Sequence, residues 1–196
     1  MPNVDLNGAI SAALNGNPIS FPTDTVPALA TLPAHAAEIF AIKQRSPDKP
    51  LILMVGEVAD LWQFTTGTDR EREIWQAVAD RYFPGALTLV LPASAAIPAV
   101  MNPLGNHTIG LRVPDCQIAR AILRQTGALA TTSANLSGEP PLLTMSEIGN
   151  RFPQVFALQS DSDDLPTPRL PSTVIQWHGS GWKLLRQGGI EFSDLD

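Results

Sequence analysis

Four short stretches carry side chains able to hold a small charged molecule. Pro22-Thr23-Asp24-Thr25-Val26 sets two hydroxyls around a carboxylate, which either orients a polar ligand or caps a turn by bonding to nearby backbone. Lys43-Gln44-Arg45 and Lys49 gather three cations within seven residues of an acidic chain. They either complement the carboxyl end of a helix or clamp phosphates, with lysine as a point charge and arginine as a planar fork of donors. In Ala130-Thr131-Thr132-Ser133-Ala134-Asn135-Leu136-Ser137-Gly138 an apolar run passes into hydroxyls, an amide and a glycine. That is the material of an anion-binding loop or of an ordinary Ser/Asn turn. The fourth place joins Thr108-Ile109-Gly110-Leu111-Arg112 to Ser172-Thr173 and Arg186. Arg112 ends an apolar run and needs an anion there, from an internal carboxylate or from a ligand.

Several other chemistries lack their motifs. The chain has no Gly-x-x-x-x-Gly-Lys-Ser/Thr, no Gly-x-Gly-x-x-Gly, no His-Glu-x-x-His and no Gly-x-Ser-x-Gly. The single cysteine, Cys116, excludes an intramolecular disulfide, and no Cys/His cluster offers a zinc site, so no protein-held metal is expected. Cys116 reads as a small buried helix residue. His35, His107 and His178 are scattered and read as surface or loop residues. A net charge of −6 argues against a protein whose main task is gripping nucleic acid through phosphates. No apolar run is long enough to cross a bilayer, and Met1-Pro2-Asn3-Val4-Asp5 does not open a signal peptide. The expected address is the cytoplasm, with no membrane partner.

These side chains must be positioned by one domain, since 196 residues with 44% apolar content suit a single substantial core. Helical spacing covers residues 4–14, 34–44, 57–64, 69–82 and 115–125, the last capped by Asp115 and stopped at Gly127, and then 144–150, capped by Thr144. Strands are expected at 19–21, 51–55, 87–91, 108–113, 128–132 and 154–158. His178-Gly179-Ser180-Gly181 between 172–177 and 182–186 is the best hairpin signal. Residues 93–106 and the acidic, proline-rich 160–171 read as loops, and the acidic tail from Glu191 as frayed. The alternation predicts an α/β fold with one twisted, mixed sheet, helices packed on it, and ligands beyond the carboxyl ends of strands.

Taken in order, the four places and three further motifs, Phe83-Pro84-Gly85-Ala86-Leu87-Thr88, Pro171-Ser172-Thr173-Val174 and Leu185-Arg186-Gln187-Gly188, closely resemble the YrdC-like family of threonylcarbamoyl-adenylate synthases. The resemblance runs from about Ile19 to Ile190, and seven motifs in one order are far more specific than any one. Two departures stand out. The family commonly continues with Tyr-Gly-Leu-Gly where this chain has Pro27-Ala28-Leu29-Ala30, and some relatives carry histidine near Met54.

The resemblance implies a single YrdC-like domain over 1–196, without the carboxyl-terminal domain of longer relatives, and a concave, positively lined cavity. By resemblance Thr23, Arg112, Thr131 and Ser172 hold L-threonine, with Arg112 facing its carboxylate. Lys43, Arg45, Ser133, Asn135 and Arg186 hold ATP, chiefly its phosphates, and Thr108 and Pro141 are further nucleotide contacts. The implied reaction joins L-threonine, bicarbonate and ATP into threonylcarbamoyl-AMP and pyrophosphate, with Mg²⁺ held mainly by the phosphates and Lys43 and Arg45 acting electrostatically. The product would pass to the machinery that modifies tRNA adenosine. The rival readings are a carbamoyl-adenylate-forming enzyme and a paralogue without synthase activity that binds RNA or nucleotide through its hollow.

Overall fold

The computed structural model describes residues 3–46, 49–159 and 170–192. The expected turn residues Pro47 and Asp48, nearly all of the loop 160–171 and the last four residues lie outside them. Among the described residues ten strands form one sheet: β1 (Asn3–Val4), β2 (Ile19–Phe21), β3 (Ala28–Thr31), β4 (Ile52–Met54), β5 (Leu87–Pro92), β6 (Thr108–Arg112), β7 (Leu129–Ser133), β8 (Phe156–Leu158), β9 (Thr173–Trp177) and β10 (Trp182–Arg186). Their spatial order is β1-β8-β2-β3-β7-β4-β6-β5-β9-β10, with parallel and antiparallel neighbours mixed. Five α-helices pack on it: α1 (Leu6–Leu14), α2 (Ala36–Lys43), α3 (Asp69–Tyr82), α4 (Gln117–Thr126) and α5 (Met145–Arg151). The expected α/β fold with a mixed sheet is the one observed.

Local chemistry sets the helix ends. Thr68 and Thr144 each accept from the backbone N–H three residues on, while Glu71 and Glu147 reach back to the cap, giving two capping boxes. Gly127 ends α4 at φ 76°, a conformation costly for any other residue.

The structure differs from the sequence expectations at several points. Asp115 does not cap α4; Cys116 occupies that position, half-buried, with its thiol 3.4 Å from the Pro22 carbonyl. Residues 58–64 wind as 3-10 turns, because the short segment holds only one fully buried apolar anchor, Leu61. Asn3–Val4 pairs with β8 instead of starting a helix. The segment Ala28–Thr31 is a fully buried central strand, paired with β2 and β7. Its alanines give no β-propensity signal; its neighbours decide its conformation.

Strand alternation divides the sheet into two faces. Leu29, Leu53, Leu89, Leu111 and Ile175 point into the larger core, against α2, α3 and α5. The opposite face is covered by α1 and α4 over β1, β8, β2, β3, β7 and the near end of β4, where Phe21, Ala28, Ala30, Met54, Leu129 and Leu158 meet Ala9, Ile122 and Leu123. Over β6, β5 and β9 this face carries Thr108, Gly110, Arg112, Thr88, Val90, Val174 and Gln176, and these line a hollow.

Candidate functional site

The uncovered half of the sheet is the floor of a cavity of about 700 Å³, within the range of small-molecule sites. Gly110 keeps the floor low, since a Cβ there would stand 2.6 Å from Ile52 Cγ2 and 3.3 Å from Thr88 Cγ2. Among the described residues Arg45, Arg112 and Arg186 line the cavity against one lining carboxylate, Glu139, so the field of these residues favours anions. Nine of the eleven residues expected at the site line it, drawn from β6, β7, the residue before β9, the end of β10 and two loops. Lys43 and Thr23 do not line it; both are buried just behind the wall.

Arg112 is 3% exposed, and three of its five N–H donors are engaged by the protein. Its Nη2 meets Asp24 Oδ1 at 2.6 Å, Nη1 donates to Thr25 Oγ1 at 2.8 Å, and Nε donates to the Gly85 carbonyl at 3.1 Å. The anionic partner that the sequence demanded is therefore an internal carboxylate. Burial lowers the guanidinium pKa and Asp24 opposes that shift, so the pair keeps the cation charged. A guanidinium carries five donors, so this grip leaves N–H capacity for a ligand.

Thr23 supports the turn rather than presenting itself to the hollow. Its Oγ1 donates to the Val26 carbonyl at 2.8 Å and accepts from the Thr25 N–H at 3.1 Å. Thr25, part of the same stretch but given no ligand role from sequence, is the hydroxyl of this turn that reaches the cavity. Thr88 is a second residue the sequence reading did not assign, although it closes the Pro84-Gly85-Ala86-Leu87-Thr88 motif. Its Oγ1 lies 2.9 Å from Ser172 Oγ. Arg186 donates to the Ser172 carbonyl at 2.8 Å and to Ser172 Oγ at 3.2 Å, which ties the β10 end to the β9 start. Thr131 Oγ1 donates to the Ile52 carbonyl at 3.2 Å, keeping its lone pairs as acceptors.

At the other end Arg45 donates to the carbonyls of Lys49 and Pro50, at 2.7 and 3.0 Å, beside the loop 133–138. Lys43 Nζ is enclosed by the Ser133 carbonyl, the Asn135 carbonyl at 2.6 Å and Asn135 Oδ1 at 3.1 Å. Asn135 is itself saturated: Oδ1 also accepts from Ser133 Oγ at 2.5 Å, and Nδ2 donates to the carbonyls of Leu136 and Glu139, each at 2.7 Å. Thr108 and Pro141 complete the rim.

Burial, and secondarily Arg45, brings the Lys43 ammonium down to about 7, against the pull of the three acceptors, which favour the charged form. With the unfolded value at 10.5, the unfolded chain holds the extra proton between about pH 7 and 10.5. Raising pH through that window therefore favours the folded state, by at most about 1.4 kcal/mol per pH unit. Urea titrations of wild type and Lys43→Met at pH 7 and pH 9.5 measure this. The wild type should gain stability relative to the variant; parallel curves would remove the shift.

A twisted α/β sheet with a cation-lined hollow defines the class, an α/β domain with an open, anion-favouring cavity on one face of its sheet. Residues 11–188 match the Sua5/YciO/YrdC family model, described as telomere recombination, and the chain belongs to that family. Threonylcarbamoyl-AMP synthase of Bacillus subtilis is 35% identical over 186 residues, 91% of this chain and 51% of that protein. The Idiomarina loihiensis enzyme of the same name is 30% identical over 74% of this chain and 78% of its own length. The solved structure of P. abyssi Sua5 complexed with L-threonine matches with a TM-score of 0.82 at 28% identity, covering 94% of this chain and 54% of that one. The chain thus spans about half the length of several curated relatives it matches.

Proposed function

We propose that this protein is a threonylcarbamoyl-AMP synthase, using L-threonine, bicarbonate and ATP. One observation carries the reading. Arg112, with its hydroxyl neighbours, and Arg45, beside the loop 133–138, lie on the wall of the same hollow, so it offers one anion site for an amino acid and another for phosphates. The family membership and the name shared by these relatives support it.

In the proposed reaction the threonine amine takes up CO₂ from bicarbonate, releasing water. A carbamate oxygen then attacks the α-phosphorus of ATP, forming the carboxyl–phosphate anhydride as pyrophosphate leaves. Two anions must be brought in line, so the protein contributes placement and opposing charge rather than a covalent nucleophile. Arg112 orients the threonine carboxylate, while Arg45 and Arg186 face the phosphates. Mg²⁺ would enter on the ATP phosphates and neutralise part of their charge. Mg²⁺, a cytoplasmic address and delivery to a tRNA-modifying transferase belong to the proposal. Among the described residues no helix is long and apolar enough to cross a membrane.

The test is to incubate the purified protein with threonine, bicarbonate and Mg-ATP, then assay pyrophosphate and seek the adenylate by mass spectrometry. Threonine-dependent release of both is expected. A product from carbamoyl phosphate instead would mark a carbamoyl-adenylate enzyme, and no adenylate at all would mark an inactive paralogue. Filter binding with a steep salt dependence would revive the RNA reading.

A further inference from the structure

Lys43 is the lysine that sequence places among the phosphate ligands, yet it is 1% exposed and stands behind the cavity wall. We propose that Lys43 is a positioning residue: it pins the loop 133–138 into its anion-binding shape instead of touching the phosphates. The inference rests on the synthase reading for what the loop binds, but not for what holds the loop.

The geometry is a three-point anchor. In its protonated form Nζ has three N–H donors and no acceptor, and it meets three oxygens of a single loop: the main-chain carbonyls of Ser133 and Asn135, and Asn135 Oδ1. The same lysine's own carbonyl accepts from the Ser137 N–H at 3.1 Å. Side chain and main chain of one residue thus hold both ends of the loop. In a trans peptide the N–H points opposite the C=O. Drawing the Ser133 and Asn135 carbonyls inward to Nζ therefore fixes the directions of the Ala134 and Leu136 N–H groups. The Ala134 N–H is bonded to the Pro27 carbonyl at 3.1 Å, so the loop is also set against the turn that leads into β3. Further round, the Asn135 amide clamps the Leu136 and Glu139 carbonyls, leaving Ser133 Oγ turned onto Oδ1. Gln44, in the left-handed conformation at φ 50°, ends α2 and turns the chain away, carrying Arg45 to the cavity. A planar guanidinium has at most two N–H donors on any one nitrogen and cannot aim three from a single point at the surrounding oxygens, so arginine at position 43 would not substitute.

The experiment joins two measurements. In Lys43→Met, hydrogen exchange of the Ala134, Asn135 and Leu136 amides should accelerate about tenfold or more. ATP affinity by calorimetry should fall about tenfold or more while threonine affinity stays unchanged, and Lys43→Arg should not restore it. Loop exchange at the wild-type rate would overturn the proposal, whether or not ATP affinity falls. Should the variant fail to fold, the unmodified protein supplies an independent readout. Followed well below pH 7, where Nζ is protonated with or without ligand, its Lys43 side-chain ¹⁵N resonance should hold its position when ATP or pyrophosphate is added, and a shift showing a phosphate bond to Nζ would overturn the proposal. Neither exchange nor resonance position requires turnover, so failure of the synthase reading would show in the missing adenylate and leave this test intact.

Discussion

Arg112→Ala should abolish threonine binding and destabilise the fold together. Asp24 is largely buried and faces Arg112 at 2.6 Å, so removing the guanidinium strands a carboxylate and leaves the Gly85 carbonyl without that donor. Breaking a buried pair from one side typically costs about 3–5 kcal/mol, and this one should lie near the lower figure because Asp24 keeps 14% exposure. Threonine affinity should fall about a hundredfold or more, since its carboxylate would lose the charge that faces it. The double variant Asp24→Asn/Arg112→Met separates the two effects. It removes both charges at similar volume, so urea midpoints should recover most of the loss, while calorimetry should still detect no threonine binding. Threonine affinity near wild type in the double variant would remove Arg112 from the binding site.

Gly188→Ala should disable the site from outside the cavity. A Cβ on Gly188 would lie 2.2 Å from the Pro171 carbonyl oxygen and 2.5 Å from the Ser172 carbonyl carbon, both main-chain atoms that cannot swing aside. The adjacent strand start must move, and with it the Ser172 oxygens that hold Arg186 and Thr88. Thr173 Oγ1, which accepts from the Gly188 and Ile190 N–H groups, would lose its register as well. Overpacking of this kind costs about 1–3 kcal/mol, and loss of a preorganised donor costs about a hundredfold in rate. Gly189→Ala is the matched control, because its Cβ would meet Ala86 Cβ at an ordinary 3.7 Å. Thermal melting and kcat/KM for pyrophosphate release should fall in the first variant and barely change in the second. Equal behaviour of the two would refute the steric account.

Sequence determined a good deal of this protein. The long amphipathic run 69–82, bounded by the Thr68 capping box, is a helix at the expected residues because its periodicity and its cap agree. The glycine-linked hairpin of β9 and β10 follows from turn chemistry in the same way. The order of the seven motifs, through the family resemblance, also marked nine of the cavity-lining residues, although each motif alone reads equally as a turn or a cap. Three matters were decided only by the tertiary structure. Ala28–Thr31 is a strand because β2 and β7 pair with it, a cause its own residues do not encode. Arg112 found Asp24, 88 residues away, and Lys43 found a loop some ninety residues on, through long-range packing that local spacing does not reveal. Which face of the sheet stayed open followed from α1 and α4 covering one half and leaving β6, β5 and β9 bare. Local rules fix turns, caps and periods; which charges meet, and which residues reach a ligand, depends on how whole elements stack.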